Sequence, residues 1–157
     1  AKGQRVYQYT AIDEYSRWRY VEAFEEHSTY SSMIFLEHLV KAFPMPIECI
    51  QTDNGFEFTK RLSHGDKAKT PTIFEIRLQQ LGIRHKLIRP FTPRHNGKVE
   101  RSHKEDQKRF YNKSTFYSFE DFRRQLRRHN QRSNHIPMRP LKFLSPVQFL
   151  SQTVQYV

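Results

Sequence analysis

Ile50-Gln51-Thr52-Asp53-Asn54-Gly55-Phe56-Glu57-Phe58 joins an apolar run to a tight turn, with one acidic residue at the junction. Ile47, Cys49 and Ile50 are apolar and lead into Thr52-Asp53, and Asn54-Gly55 is a strong turn signal. A short apolar strand that delivers one Asp at its end and then turns at once holds a carboxylate rigidly at the rim of a sheet. That is a suitable place for a metal ligand. Taken alone, the same nine residues also fit an Asp-Asn-Gly turn with no chemistry.

Upstream, Arg5–Ile12 is rich in β-branched and aromatic types and reads as a strand; Asp13–Arg17 is polar and turn-like, and Trp18–Phe24 reads as the returning strand of an antiparallel hairpin. Ser28 or Thr29 caps a helix running to about Phe43, with Met33, Leu36, Leu39, Val40 and Phe43 at helical spacing, and Pro44 and Pro46 end it. Downstream, Arg61–Pro71 is polar and aperiodic and reads as an exposed loop. A short helix over Thr72–Leu81 stops at Gly82, and Ile83–Arg89 reads as another strand. Pro90–Gly97 is a loop, followed by helices over about Gly97–Tyr111 and Phe119–Arg132 and a short helix at most near Pro146–Leu150. A hairpin followed by alternating helices and strands predicts an α/β fold, a mixed sheet flanked by helices. No internal repeat or linker divides the 157 residues, which read as one domain with residues 113–157 as a helical extension.

Composition narrows the partner. The formal net charge is +11, and residues 84–142 carry most of the Lys and Arg, which suits a polyanion because each cation placed on a phosphate releases a counterion. No apolar run has the length of a membrane span and no signal peptide is visible, so no membrane role is expected. Cys49 is the only cysteine, which excludes an intrachain disulfide or a cysteine metal cluster and suits a reducing, cytoplasmic setting. Cys49 and Trp18 are expected in the core. The eight His residues show no convincing zinc spacing.

The second carboxylate of interest is Glu100, in the first turns of the helix entered through Pro90–Gly97. Glu100, Lys104 and Lys108 are four apart and share one helical face. An ordinary solvated helix would show the same pattern, but would not call for so defined a loop before it.

Together the two segments resemble the DDE transposases and retroviral integrases. Gln51–Phe58 resembles their TDNG-x-EF strand end, and Pro90–Arg101 resembles their P-x-x-P-x-x-N-G-x-x-E-R segment. Ile12–Arg17 is similar to the end of the family's second strand, and His129–Arg132 with Leu144–Phe149 to the tail of the bacterial insertion-sequence branch. The resemblance spans nearly the whole chain. It implies an RNase H-like fold and a site of three carboxylates holding two Mg²⁺ or Mn²⁺ ions, with Asp53 and Glu100 as the second and third acids, both catalytic and metal-binding. Such a pair of ions would serve an in-line attack on a phosphodiester. It further implies DNA cleavage and strand transfer, transposon ends and target DNA as partners, a homo-oligomer, and a bacterial nucleoid-associated location. The interval between Asp53 and Glu100 is longer than is usual in the family, and the Arg61–Pro71 loop can absorb the excess.

Asn96, Lys98, Arg101, Lys104 and Lys108 flank Glu100 and are the candidate DNA contacts. Arg123, Arg124, Arg127, Arg128 and Arg132 form a second basic stripe that fits DNA or solvent equally.

One departure matters. The family's first acid lies on a strand upstream of the Asp13 hairpin, whereas the chain as given starts at Ala1, so that strand and its Asp are expected to be missing here. Asp13 matches the Asp that ends the family's second strand, and reads as a turn residue and not as a substitute ligand. The neighbouring strands would then have unpaired edges, and the 157 residues alone should bind metal weakly. If the natural protein lacked that Asp, an inactive nucleic-acid-binding derivative would be the reading; an RNase H-like nuclease without strand transfer is a further alternative.

Overall fold

The computed structural model describes residues 3–65, 70–89 and 97–155. In chain order its elements are β1 (Tyr7–Ile12), β2 (Arg19–Phe24), α1 (Thr29–Ala42), β3 (Cys49–Thr52), α2 (Ile73–Gln80), β4 (Arg84–Leu87), α3 (Gly97–Arg109), α4 (Phe119–Ser133) and α5 (Pro146–Gln155). The α/β order agrees with the sequence reading. The strands form two separate two-stranded sheets, β1–β2 and β3–β4. The second is parallel, with Thr52 opposite Leu87, so both hairpin and crossover pairing are present. By packing, residues 1–23 with 98–157 form one compact unit and residues 24–97 another.

In the continuous unit, Ser28 caps α1 by accepting from Ser31 N. Thr72 and Glu75 form a reciprocal capping box at the start of α2. The core is Leu36, Phe74, Leu78 and Ile83, flanked by Val40, Ile47, Ile50, Phe58 and Leu81. Leu36 and Leu39 are buried as their spacing predicts, whereas Met33, Val40 and Phe43 are only half-buried. The helix also buries Ser31, Ser32 and Phe35. Ser32 can be buried because its hydroxyl lies within hydrogen-bond reach of the Thr29 and Glu57 carbonyls, at 2.9 and 2.7 Å.

The other unit packs Val21 and Ala23 of the hairpin against Phe110, Phe122 and Leu126, with Tyr111, Phe116 and Phe119 around them. Phe110, Phe116, Phe119 and Phe122 all belong to this cluster, in which Phe116 meets Phe122 edge-on at 4.8 Å. Trp18, expected in the core, is only half-buried and stacks on Tyr20 with centroids 6.3 Å apart. Cys49 is likewise half-buried. The C-terminal helix is longer than its short apolar run suggests: α5 has ten residues. Ser145 starts it by accepting from Gln148 N, and Val147 N donates to the Asn134 carbonyl at the end of α4.

Candidate functional site

Asp53 follows the last residue of β3, at the carboxyl end of a parallel strand pair, where ligands bind in α/β sheets. Its side chain is exposed, and Oδ1 accepts from Gly55 N at 2.8 Å. Oδ2 takes no donor from the described residues and is a hard oxygen of the type Mg²⁺ prefers. The turn is fastened on several sides. Asn54 Nδ2 donates to the Ile88 carbonyl at 3.0 Å, and Ile88 N to the Thr52 carbonyl at 3.1 Å. Thr52 Oγ1 donates to the Asp53 carbonyl at 2.9 Å and lies 2.8 Å from His85 Nε2 on β4. Burial holds His85 below the usual imidazole range, which favours the neutral ring in that contact.

Glu100 sits in the first turn of α3 and is exposed. Arg101, Lys104 and Lys108 are exposed as well, without an acidic partner among the described residues. Lys98 reaches Glu14 at 3.6 Å, a surface pair worth little. Asn96 and the loop 90–96 lie outside the described residues, as do residues 66–69 of the predicted loop over 61–71. On α4, Arg123 lies 3.4 Å from Glu120 and 3.8 Å from Glu22, and Arg124 2.9 Å from Asp121. Arg127, Arg128 and Arg132 are the exposed remainder of that stripe. Among the described residues no group of three His, Cys, Asp or Glu side chains could hold a metal ion.

Asp13 is a turn residue. Its Oδ2 accepts from Ser16 N and Ser16 Oγ at 2.9 and 2.5 Å, and its carbonyl from Arg17 N. Both carboxylate and backbone thus close the hairpin.

The residue the charge pattern concealed is Asp106. It is the only buried residue of α3, 1% exposed. Its Oδ1 takes Arg19 Nη1 and His129 Nε2, each at 2.8 Å, and its Oδ2 takes Gln8 Nε2 at 3.0 Å. Burial pushes this carboxyl group up, and the bonds from His129, Arg19 and Gln8 outweigh that and hold it below the usual carboxylate range. Tyr111, which donates to Gln8 Oε1, is pushed up to about 12 by burial and the nearby carboxylate. Arg19 is fixed in turn by Asn130 and Asn134, whose amides donate to its carbonyl at 3.0 and 2.8 Å. Glu57 was also missed: it is buried and pairs with His27 at 2.9 Å. The only sequence signals were the positions of Asn130 in the tail segment and Glu57 beside the Asn-Gly turn.

Sequence comparison identifies the class. An integrase core domain model matches residues 1–93, more than half of the chain, and a second integrase core domain model matches residues 81–139. The chain belongs to the integrase core domain family, an integrase/transposase-type catalytic core. No curated protein matches it significantly. Among solved structures, it resembles a chain in the simian T-cell lymphotropic virus intasome complexed with the PP2A regulatory subunit B56 gamma. The TM-score is 0.72 at 18% identity, over 94% of this chain and 49% of that one. It also resembles the catalytic core domain of BIV integrase, with a TM-score of 0.68 at 18% identity over 96% and 90% of the two chains. The fold is therefore the RNase H-like fold of integrase cores, and the chain spans about half the length of the intasome chain. No described helix is long and apolar enough to cross a membrane.

Proposed function

We propose that the chain is the catalytic core of a DDE transposase or integrase that cuts DNA and joins strands with the help of Mg²⁺ or Mn²⁺. The observation that carries this reading is the family match across the Thr52–Gly55 turn, together with an exposed Asp53, at the carboxyl end of a parallel strand pair, whose Oδ2 takes no donor from the described residues. Asp53 and Glu100 would hold the metal, as oxygen donors of the right hardness. When bound, such ions lower the cost of generating the attacking oxygen and of charge on the leaving one.

The chain's own residues supply placement. The Gly55 N–H fixes one oxygen of Asp53, and the turn is braced by His85 of β4 and by Ile88 just after it, whose carbonyl accepts from Asn54. Asn96, Lys98, Arg101, Lys104 and Lys108 would hold DNA phosphates beside Glu100. In the bacterial insertion-sequence branch that the tail resembles, the partners are transposon ends and target DNA, bound by a homo-oligomer in the nucleoid. The 157 residues form one integrase-core-like domain with 113–157 as its extension.

The test is strand transfer by the full-length protein on labelled terminal-repeat DNA. Joined products should form with Mg²⁺ or Mn²⁺, vanish on chelation and return when metal is restored. Joining that persists after metal removal would refute the reading.

A further inference from the structure

Glu57 is an unusual residue to bury. It is 7% exposed; Oε1 lies 2.9 Å from His27 Nε2, and Oε2 is buried without a hydrogen-bond partner among the described residues. Leaving such an oxygen unsatisfied is destabilising, so the fold has no evident reason to favour a carboxyl group there over an apolar side chain. What it touches is the turn. A Cβ placed on Gly55 would lie 2.5 Å from Glu57 Oε2 and 2.8 Å from both Cδ and Oε1. The carboxyl group is therefore packed against the Gly55 α-carbon, and a side chain at position 55 would have to displace it. The main chain of Glu57 is held by Ser32 Oγ, and the Gly55 carbonyl accepts from Phe58 N and Thr59 N, each at 3.0 Å. Gly55 N in turn donates to Asp53 Oδ1.

We propose that Glu57, steadied by His27, is a positioning residue for Asp53: it presses on Gly55, aims the Gly55 N–H at Oδ1, and so presents Oδ2 to a hard divalent cation. This rests on the reading of Asp53 as a metal ligand. Residues that orient a metal ligand from behind typically change metal affinity or activity by about 10–100-fold when removed.

The experiment is a Mn²⁺ titration of the full-length protein by calorimetry, with Asp53→Asn, Glu57→Ala, Glu57→Gln and His27→Ala alongside the parent. Glu57→Ala should raise the half-saturating Mn²⁺ concentration by about 10-fold or more. Glu57→Gln, which keeps the shape over Gly55 and an acceptor for His27, should restore most of the affinity. A folded Glu57→Ala protein that binds Mn²⁺ like the parent, while Asp53→Asn does not, would overturn this proposal and leave the Asp53 reading standing. An Asp53→Asn protein with unchanged Mn²⁺ binding would overturn both. Should Glu57→Ala fail to fold, His27→Ala carries the test: weakened Mn²⁺ binding supports the proposal and unchanged binding sinks it. A metal-free readout accompanies these. Gly55→Ala should lower the melting temperature of the parent and cost much less in the Glu57→Ala background, because the colliding atoms are gone. Equal losses in both backgrounds would contradict the packing on which the proposal depends.

Discussion

Asp106 and Arg19 form an ion pair that is almost wholly out of water, with side chains 2% and 8% exposed. Removing one member of such a pair strands the other, which costs about 3–5 kcal/mol. Asp106→Asn should therefore lower the melting temperature sharply, measured by calorimetry or circular dichroism. The pH dependence has a definite sign. The folded carboxyl group titrates below its ordinary value of 3.8, so its contribution is complete above that value and is lost as pH falls through the lower folded one. Acid unfolding of the parent should steepen there, and Asp106→Asn should flatten it. None of this was legible beforehand. Asp106 stands in a run of charges, Lys104-Glu105-Asp106-Gln107-Lys108, that reads as solvated. Its partners Gln8, Arg19 and His129 lie far away along the chain, and no local period reveals such a pairing. Asp13 was legible, because an Asp beside Ser and Arg at a strand end is turn chemistry in its own right.

At the scale of elements, caps and apolar spacing carried the prediction. Thr72 accepts from Glu75 N at 3.1 Å and also donates to the Phe58 carbonyl at 3.0 Å, so it starts α2 and ties that helix to the segment after the Asp53 turn. Thr72→Ala should cost about 1–2 kcal/mol, visible as a lower urea midpoint with little change in slope. Leu126, 1% exposed in the aromatic cluster, should cost about 2–5 kcal/mol as Leu126→Ala. The α-helices and strands of the described residues were largely visible in the sequence because periods of 3.6 and 2 and the Ser, Thr, Pro and Gly punctuation are local signals. The full length of α5 was not, since Ser151-Gln152-Thr153 breaks the apolar pattern and the helix start is secured by a tie from Val147 to the end of α4. Helix α3 inverts the usual logic: apart from the half-buried Val99 it has no apolar residue, and its buried anchor is a carboxylate.

For the molecule as a whole, charge sets the expected behaviour toward DNA. Arg101, Lys104 and Lys108 are exposed cations that carry no intramolecular pair among the described residues. Each one that rests on a phosphate should contribute about one unit to the slope of log K against log salt. Replacing Lys104 and Lys108 by Ala should weaken binding of the full-length protein to all duplexes alike and flatten the slope by about 2. Arg124 is already engaged with Asp121, so Arg124→Ala should change the slope least. The family was legible in the sequence because four separated motifs fall in order. How the sheet is divided was not, since strand pairing depends on partners distant in sequence.

Whether Asp53 and Glu100 are both needed for joining is decided by divalent-metal-dependent strand transfer with the full-length protein carrying Asp53→Asn or Glu100→Gln, with DNA binding followed in parallel. Each substitution should reduce joining to background while the protein stays folded and bound to DNA. Undiminished joining by either folded variant would contradict that requirement.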